Sequence, residues 1–429
     1  MQSIAVVGAS LAGLRAAEEL RHAGYDGTIT VVGDEQRLPY DRPPLSKQVL
    51  AGEWEPERTA LTLATSGAIE DLDVDWRLGT RVVGLDLWNR LLALDDGERL
   101  HFKGLVIACG ARPRRLAERS NRRWRRGRAS AGPEAGLAGL HTLRSLDDCL
   151  AIRSCLEATP RRVLVVGAGF IGAEVAATCR GRGLAVTLVE VLPVPLEHAI
   201  GRRMGVVMAE IHRDHGVDLR LGVGVKRFEG AGRVERVVLT DDTVVEADLV
   251  VVGVGVVPNT EWLEGSRLRL DDGVVCDANL LAAPGVVVAG DVARWPSGRY
   301  GVSVRVEHWE NALAMGEHAA RSLLAHGTGR RGDAEPAVSL GDEPLQPYDP
   351  VPWFWSDQYD RKIQLAGLVG GADEIAIVDG SLAERRFVGI YRKADRIVGV
   401  LAMNRPRQLV AYRGLVDKGA SWEEALAQP

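Results

Sequence analysis

The sequence predicts an α/β protein with two Rossmann-like βαβ domains, followed by a smaller C-terminal α+β domain. Two observations support this prediction. Similar segments begin at Ile4 and at Val163, and each reads as an apolar strand, a glycine turn, a helix and a second strand. After a linker rich in Gly, Pro and charge near residue 328, short runs of alternating apolar and polar residues take over and end in a predicted helix.

The repeated segment has the spacing of a dinucleotide-binding fingerprint. The second copy, VVGAGFIGAEVA, carries Gly167, Gly169 and Gly172, whereas the first, VVGASLAGLRAA, has Gly8 and Gly13 with a serine between them. Glycine permits a tight turn and the close approach of a pyrophosphate, and the N-terminus of the following helix supplies N–H donors to it. One such copy could be only a tight turn; two copies, each followed by an acid, favour two nucleotide sites.

An acidic residue follows each βαβ copy, Asp34 or Glu35 in the first and Glu190 in the second. A carboxylate at this position accepts hydrogen bonds from ribose hydroxyls. Glu190 would also repel a 2′-phosphate, and the segment EVLPVP that it begins has no arginine to bind one. The sequence therefore predicts NADH rather than NADPH as the second nucleotide.

The order of the strands along the chain predicts an interrupted first domain. LVIACGARPR and LVVVGVGVVPN are matching apolar strands that each close one nucleotide-binding unit, and they are far apart in sequence. We therefore expect a first domain over residues 1–112 and 247–327, a second over 113–246, and a C-terminal domain over 328–429.

An arginine-rich insertion lies at the first domain junction. Residues 112–128, RPRRLAERSNRRWRRGR, hold nine arginines and one acid. A segment of this composition is most often solvated or disordered, because it has little apolar surface to bury. The alternative is a docking surface for an acidic protein.

The composition argues against several classes of function. Lys+Arg 53 against Asp+Glu 58 gives a net charge of −5, which argues against nucleic acid as the main partner. No apolar run is long enough to span a bilayer and no basic leader precedes the first strand, so we expect a cytoplasmic protein. The five cysteines form no CxxC pair and the nine histidines form no metal-ligand pattern with them, so we expect unpaired thiols and no bound metal.

Taken together, these motifs resemble the FAD- and NADH-dependent ferredoxin reductases that serve Rieske-type oxygenases and cytochrome P450 systems. The resemblance covers nearly the whole chain, through GASLAG, VVGDE, PYDRPPLSK, VVGAGFIGAEVA, GVGVVPN, AGDVARW, VEHWENA and VPWFWSDQYDRKIQLAG. It implies a flavoprotein fold like that of the disulfide reductases. It also implies electron transfer from NADH through FAD to a small [2Fe–2S] ferredoxin, with neither nucleic acid nor a membrane as partner.

The same resemblance, matched motif by motif, implies the residues of two cofactor sites. Those expected to contact FAD are Gly8, Ala12, Gly13, Asp34, Glu35, Arg42, Lys47, Val82, Arg144, Asp291 and Trp309. Those expected to face the nicotinamide cofactor are Gly167, Gly169, Phe170, Ile171, Gly172, Glu174, Glu190 and Gly255. For Trp309, packing in a core is the alternative interpretation.

Lys47 ends the proline-rich segment PYDRPPLSK, which begins at Pro39. Disulfide reductases carry two redox cysteines in the region after their first βαβ unit, whereas this segment has no cysteine. Its prolines restrict the backbone, and an ammonium held there would stabilise the negative charge that reduction places on a flavin ring. By resemblance, Glu174 is its counter-charge, and the two form the catalytic pair. An exposed loop lysine is the alternative.

Trp353 and Trp355, in VPWFWSDQYD, are implied as the exit for electrons to the ferredoxin, with core packing as the alternative.

Other functions remain open: an NADH oxidase or peroxidase, a flavin- and NADH-binding redox scaffold, or a maturase or nitrite-reductase component. The oxidase and peroxidase relatives usually rely on a redox cysteine near the flavin. Cys109, the first cysteine of the chain, is expected in a turn at the end of a strand.

Overall fold

The computed structural model describes residues 3–64, 67–116, 136–326 and 345–428. They form two compact units. The first contains Met1–Asp41, Thr59–Arg112 and Val257–Pro352, and the second contains Arg42–Arg58, Pro113–Val256 and Trp353–Pro429. This division differs from the three expected domains by grouping the segment around Lys47 and the C-terminal region with the second nucleotide motif. The three-domain division stays a prediction. Most of the arginine-rich insertion, from residue 117 onward, and the linker 327–344 lie outside the described residues.

The secondary structure alternates strands and helices before residue 330 and is mainly strands after residue 350. The helices are α1 (Leu11–His22), α2 (Gln48–Ala51), α3 (Leu146–Glu157), α4 (Phe170–Gly181), α5 (Glu197–Asp214), α6 (Trp309–His326), α7 (Pro406–Lys418) and α8 (Trp422–Leu426). The strands up to residue 113 are β1 (Ser3–Val7), β2 (Thr28–Gly33), β3 (Asp75–Leu78), β4 (Val82–Asp86), β5 (Leu91–Leu94), β6 (Arg99–His101), β7 (Gly104–Ile107) and β8 (Ala111–Pro113). Those up to residue 258 are β9 (Leu140–Thr142), β10 (Arg162–Val166), β11 (Ala185–Glu190), β12 (Asp218–Leu221), β13 (Val225–Glu229), β14 (Arg236–Leu239), β15 (Val244–Glu246), β16 (Leu249–Val252) and β17 (Val256–Pro258). The remaining strands are β18 (Val274–Val275), β19 (Leu281–Ala283), β20 (Val286–Val288), β21 (Ala293–Ser297), β22 (Val302–Val304), β23 (Trp353–Gln358), β24 (Arg361–Gly367), β25 (Glu374–Ser381), β26 (Arg386–Lys393) and β27 (Arg396–Met403).

The first unit is built around a six-stranded sheet with the order β19-β20-β7-β1-β2-β3. Its neighbours run parallel except for the β19–β20 pair. The central strand β1 is buried along Ile4–Val7, as expected for a β-branched strand covered on both faces. Two small sheets, β4-β5-β6 and β18-β21-β22, complete the unit.

The second unit repeats this arrangement and adds an antiparallel sheet. Its parallel sheet has the order β12-β11-β10-β16-β9, so β16-β10-β11-β12 has the same order as β7-β1-β2-β3 in the first unit. The C-terminal sheet has the order β23-β24-β27-β26-β25. The predicted fold class, two Rossmann-like units with a C-terminal α+β region, is confirmed. Among the described residues, no helix has both the length and the apolar character needed to cross a membrane.

The C-terminal sheet packs against α5 within the second unit. Ile200 and Met204 of α5 are buried with Leu365 and Phe387 of the sheet. The Tyr391 hydroxyl donates a hydrogen bond to the carbonyl oxygen of Ile200 at 2.7 Å. This packing holds β23 at a defined place in the unit.

Each glycine turn brings a helix unusually close to the strand before it. A Cβ added at Gly13 would lie 1.9 Å from the carbonyl oxygen of Gly8, and one added at Gly172 would lie 2.0 Å from that of Gly167. Such distances are far below van der Waals contact, and the atom in the way is backbone that cannot rotate aside. These two positions therefore require glycine for the packing of the protein itself.

Replacing Gly172 by alanine should lower the free energy of unfolding by about 2 kcal/mol or more, because the new methyl group overlaps a backbone oxygen. Gly181, at the other end of α4, is the matched control, since an added Cβ there meets no atom within 4 Å. Gly181→Ala should leave stability unchanged or raise it by up to about 1 kcal/mol. Urea unfolding followed by circular dichroism checks both. Equal midpoints for the two variants would contradict the close packing.

Candidate functional site

Two helices of the second unit hold the backbone just before Lys47. Residues Pro43–Ser46 form a short 3₁₀ turn. The Thr178 hydroxyl, on α4, donates to the carbonyl oxygen of Ser46 at 2.8 Å, and the Cys149 thiol, on α3, donates to that of Leu45 at 3.1 Å. The backbone that leads into Lys47 is therefore held by hydrogen bonds from both helices.

Lys47 forms a buried ion pair with Glu174. Its Nζ donates to Glu174 Oε2 at 2.7 Å, and the two side chains are 12% and 3% exposed. The Ser46 hydroxyl donates to the same oxygen, and the Ser356 hydroxyl donates to Oε1 at 2.7 Å. A buried carboxylate is tolerated when its oxygens are satisfied in this way. The pairing implied by the resemblance is confirmed, and the alternative of an exposed loop lysine is wrong. The place of the pair beside a flavin stays a prediction.

The start of α4 determines where Glu174 lies. The helix begins at Phe170, directly after the glycine turn, and Glu174 lies one turn later with Thr178 one turn beyond it. Residues four apart lie on the same face of a helix. One face of α4 therefore carries the carboxylate and the hydroxyl that hold Lys47 and its turn.

The glycine turn of the second unit leaves open space over the start of α4. A Cβ at Gly167 would lie 2.3 Å from the carbonyl oxygen of Gly253, so this glycine is required by packing. At Gly169 and Gly255, by contrast, an added Cβ meets no atom within 4 Å. A free space beside helix N–H groups fits a pyrophosphate.

Glu190, at the end of β11, is held by the turn itself. Its Oε2 accepts from the N–H of Ala168 at 2.7 Å, and its Oε1 accepts from the N–H of Leu192 at 2.9 Å. The carboxylate thus lies next to the turn where a nucleotide ribose is expected. Of the two apolar residues assigned to this site, Ile171 is about half exposed, and the Phe170 ring contacts Phe354 edge-on with centroids 4.3 Å apart.

The first unit has an equivalent turn at the start of α1. Gly8 has φ 122°, and a Cβ there would lie 2.2 Å from the carbonyl oxygen of Ala108. Gly290, which precedes Asp291, has φ 74°, and an added Cβ would lie 3.1 Å from the Cβ of Ala12. The structure therefore brings Asp291 close to the first turn of α1.

Trp309, at the start of α6, is only partly buried, and its indole N–H donates to Asp41 Oδ1 at 2.6 Å.

In the first βαβ copy, neither Asp34 nor Glu35 occupies the position equivalent to that of Glu190 in the second copy. The N–H of Gly8 donates to the carbonyl oxygen of Val32, and that of Gly167 donates to Val189, so Gly33 is the counterpart of Glu190. Asp34 and Glu35 follow one and two residues later. Asp34 is exposed, whereas Glu35 accepts from the Tyr40 hydroxyl at 2.5 Å. Of the two, Glu35 is the carboxylate with a fixed position.

Three further residues assigned to FAD have different surroundings. Val82 is buried in the core of the first unit. In the second unit Arg42 Nη1 donates to the carbonyl oxygen of Arg144 at 2.9 Å, and the N–H of Arg144 donates to Asp148 Oδ2 at 2.9 Å. The structure therefore brings Arg42 and Arg144 together.

Ser46 and Ser356 are not among the residues predicted from the sequence. A signal for Ser356 was present in the alternation of WFWSDQ, which puts Phe354, Ser356 and Gln358 on one face of β23. Ser356 and Gln358 are both fully buried. Polar residues on a buried face require partners. Ser356 donates to Glu174, and Gln358 donates to Ser356. Trp353 and Trp355 share the other face, are only partly buried, and have ring centroids 5.6 Å apart.

All five cysteines are free, and four of them lie in environments that disfavour a thiolate. Burial raises the pKa of Cys109, Cys149, Cys179 and Cys276 to about 12 in each case. Because the thiolate is the reactive form, these four thiols are poor nucleophiles at neutral pH. Within the described ranges, no group of three or more His, Cys, Asp or Glu residues could hold a metal ion.

Comparison with known proteins extends these observations. The family model for pyridine nucleotide-disulphide oxidoreductases matches residues 2–316, and the model for the reductase C-terminal domain matches residues 353–429. The chain is 37% identical to rhodocoxin reductase of Rhodococcus erythropolis, over 96% of this chain and 89% of that protein. It is 35% identical to the biphenyl dioxygenase system ferredoxin–NAD(+) reductase component of Paraburkholderia xenovorans strain LB400, over 98% and 94%.

A solved structure is similar over almost the same length. In the crystal structure of the covalent putidaredoxin reductase–putidaredoxin complex, one chain matches with a TM-score of 0.86 and 32% identity, over 97% of this chain and 93% of that one. The family resemblance that the motifs indicated is confirmed.

Removing one member of the buried pair should be costly. Lys47→Met should lower the free energy of unfolding by about 3 kcal/mol, because it leaves the Glu174 carboxylate buried without its counter-charge. The double variant Lys47→Met/Glu174→Gln should lose less than the sum of the losses in Lys47→Met and in Glu174→Gln. Lys226→Met is the control, since Lys226 pairs with Asp242 on an exposed surface and should cost less than about 1 kcal/mol. Urea unfolding measures all four, and equal losses for the Lys47 and Lys226 variants would refute the effect of burial.

The cysteines should differ in their reaction with iodoacetamide. With a pKa near 12, roughly one thiol in ten thousand is ionised at pH 8, and the fraction rises about tenfold for each pH unit. Cys109 and Cys155 are both only partly buried. Because the pKa of Cys109 is raised to about 12, Cys155 should be labelled first in the folded protein. The other four should react only after unfolding in urea. Peptide mass spectrometry at pH 8 and 9 identifies the labelled sites; fast labelling of Cys109 in the folded protein is the contrary result.

Proposed function

We propose a function from the premise that the chain belongs to the pyridine nucleotide-disulphide oxidoreductase family, among the members that carry the reductase C-terminal domain. It is an oxidoreductase that transfers electrons from NADH, through FAD, to a small iron–sulfur protein of the ferredoxin type. The observation that carries this proposal is the buried Lys47–Glu174 pair. Lys47 belongs to the segment after the first βαβ unit, where disulfide reductases carry their redox cysteines.

The first unit fits FAD. Gly8, Ala12 and Gly13 form a turn and helix start that can receive the pyrophosphate, and Glu35 has a fixed carboxylate for the adenosine ribose. Asp291, close to Ala12, would accept from the ribityl hydroxyls, and Trp309 would contact the ring system. Val82 would contribute through its backbone. When bound, FAD accepts a hydride from NADH and returns the electrons one at a time.

The second unit fits NADH. The open space at Gly169 and Gly255 would take its pyrophosphate, and Glu190 would accept from the ribose hydroxyls. Because both Glu190 oxygens are held by backbone N–H groups, the carboxylate cannot readily turn away from a 2′-phosphate. We therefore propose that NADH is used in preference to NADPH.

Lys47 would stabilise charge during hydride transfer. Reduction leaves negative charge on a flavin, and an ammonium fixed in advance stabilises that charge without reorganising. Glu174 keeps the ammonium in place, and Ser46 and Ser356 keep the carboxylate in place. The pair and its donors therefore orient one positive charge, and no covalent intermediate on the protein is needed.

The buried thiols argue against the oxidase or peroxidase alternative. A cysteine that relays electrons reacts as a thiolate, whereas burial raises the pKa of Cys109 to about 12. The Cys109 thiol also donates to the carbonyl oxygen of Asn259 at 3.2 Å. A hydrogen-bonded thiol with so high a pKa suits packing better than redox chemistry.

The partner we propose is a [2Fe–2S] ferredoxin. The biphenyl dioxygenase relative is named a ferredoxin–NAD(+) reductase component, and putidaredoxin reductase has been crystallised in covalent complex with putidaredoxin. Trp353 and Trp355 are partly exposed on one face of β23, and the Arg413 guanidinium lies 5.6 Å from the centre of a Trp353 ring. Aromatic residues beside an arginine suit a protein interface, so we propose this face as the exit for electrons.

The decisive measurement is reduction of cytochrome c by NADH with and without an added [2Fe–2S] ferredoxin. The purified protein should bind FAD, use NADH better than NADPH, and depend strongly on the ferredoxin. Lys47→Ala should slow the reduction of bound flavin by NADH at least about tenfold in stopped flow, while FAD stays bound. Rapid peroxide formation without ferredoxin would instead indicate the oxidase. Slow reduction by NADH with every acceptor would indicate the scaffold.

A further inference from the structure

A serine outside both nucleotide motifs completes the surroundings of Glu174. Ser356, on β23, is fully buried, and its hydroxyl donates to Glu174 Oε1 at 2.7 Å. The Gln358 Nε2 donates to the same hydroxyl at 3.1 Å. Because a serine hydroxyl has a single proton and Gln358 occupies an acceptor position, that proton is directed at the carboxylate.

The contacting residues of β23 and of α4 are separated by similar distances along the two elements. Phe354 and Ser356 are two residues apart on one face of β23, a distance of roughly 6.7 Å along a strand. Their partners Phe170 and Glu174 are four residues apart on α4, a distance of about 6 Å along a helix. The two contacts therefore form together, and β23 lies along the face of α4 that carries the carboxylate.

Ser356 and Lys47 donate to different oxygens of the Glu174 carboxylate. Lys47 and Ser46 donate to Oε2, whereas Ser356 donates to Oε1. The last torsion of a glutamate side chain is soft, so its carboxylate rotates unless both oxygens are held. Without Ser356, the Oε2 atom that receives Lys47 is no longer held at one orientation, and the ammonium loses part of its support.

We propose that Ser356, oriented by Gln358, is a positioning residue for hydride transfer, acting through Glu174 on Lys47. This inference rests on the proposed function. It assigns the two faces of β23 to different steps. The face with Ser356 supports the reaction with NADH, and the face with Trp353 and Trp355 serves the exit of electrons.

The test compares Ser356→Ala with Ser322→Ala in the full-length protein loaded with FAD. Ser322 is the matched control, because it is equally buried, lies on α6 of the first unit, and its hydroxyl has no hydrogen-bond partner among the described residues. In anaerobic stopped flow, Ser356→Ala should lower the limiting rate of flavin reduction at saturating NADH about tenfold, and the half-saturating NADH concentration should change less than about twofold. Ser322→Ala should change neither.

Two readouts separate positioning from general damage. After reduction with dithionite, electron delivery to ferricyanide should be equally fast in Ser356→Ala and the parent, because this step does not use NADH. The absorbance spectrum of the bound flavin should shift in Ser356→Ala, where the nearby charge has moved, and should stay unchanged in Ser322→Ala. Ser356→Thr keeps the hydroxyl and should restore most of the rate and the parental spectrum.

The outcomes distinguish this inference from the proposed function. If the parent protein binds no flavin, or NADH does not reduce the flavin, the proposed function fails. If the parent is reduced rapidly and Ser356→Ala is reduced equally fast, only the inference about Ser356 fails. Should Ser356→Ala not fold, Gln358→Met provides the test, since it removes the donor that orients the serine and should slow reduction about threefold. An unchanged rate in Gln358→Met then overturns the inference.

Discussion

The buried charge of Glu174 is the constraint on which the site in the second unit depends. Burying two opposite charges costs free energy unless geometry and further hydrogen bonds compensate for the lost water. Here the further donors are Ser46, in the 3₁₀ turn before Lys47, and Ser356, in the C-terminal sheet. The pair and its donors therefore tie two separate segments of the chain to α4. Because each segment supplies a donor, the site is complete only when both are folded.

The glycines of the two turns are needed for two different physical reasons. Gly8 and Gly167 adopt positive φ where a Cβ would strike a backbone oxygen, and Gly13 and Gly172 allow close packing of a helix on a strand. The middle position is different. Gly169 has open space around it, and its counterpart Ser10 has extended backbone angles that any residue can adopt. A serine in the first motif is therefore compatible with the same turn, and the open space at Gly169 is what a ligand would use.

The group that Lys47 offers to a flavin is a fixed positive charge rather than a redox-active thiol. Four thiols are protonated at neutral pH because burial raises the pKa of each to about 12. The ammonium of Lys47 is instead held by the Glu174 carboxylate, which two serine hydroxyls hold in turn. A fixed cation favours the reduced state of a bound flavin but stores no electrons. Electrons held on such a flavin must leave for an external acceptor, which agrees with the proposed ferredoxin partner.

The sequence by itself determined the two βαβ units, the repeat that relates them and the chain's family, because glycine spacing and apolar periodicity are local properties that translate directly into turns and strands. It also indicated Lys47 and, through resemblance, its pairing with Glu174. Only the tertiary structure decided that Glu35 rather than Asp34 has a fixed carboxylate, that Val82 is buried in a core, and that Ser46 and Ser356 share the carboxylate of Glu174. These contacts join residues as far as 182 positions apart, or depend on a one-residue offset after a strand. No local pattern encodes such distances, since they arise when separately formed elements pack together.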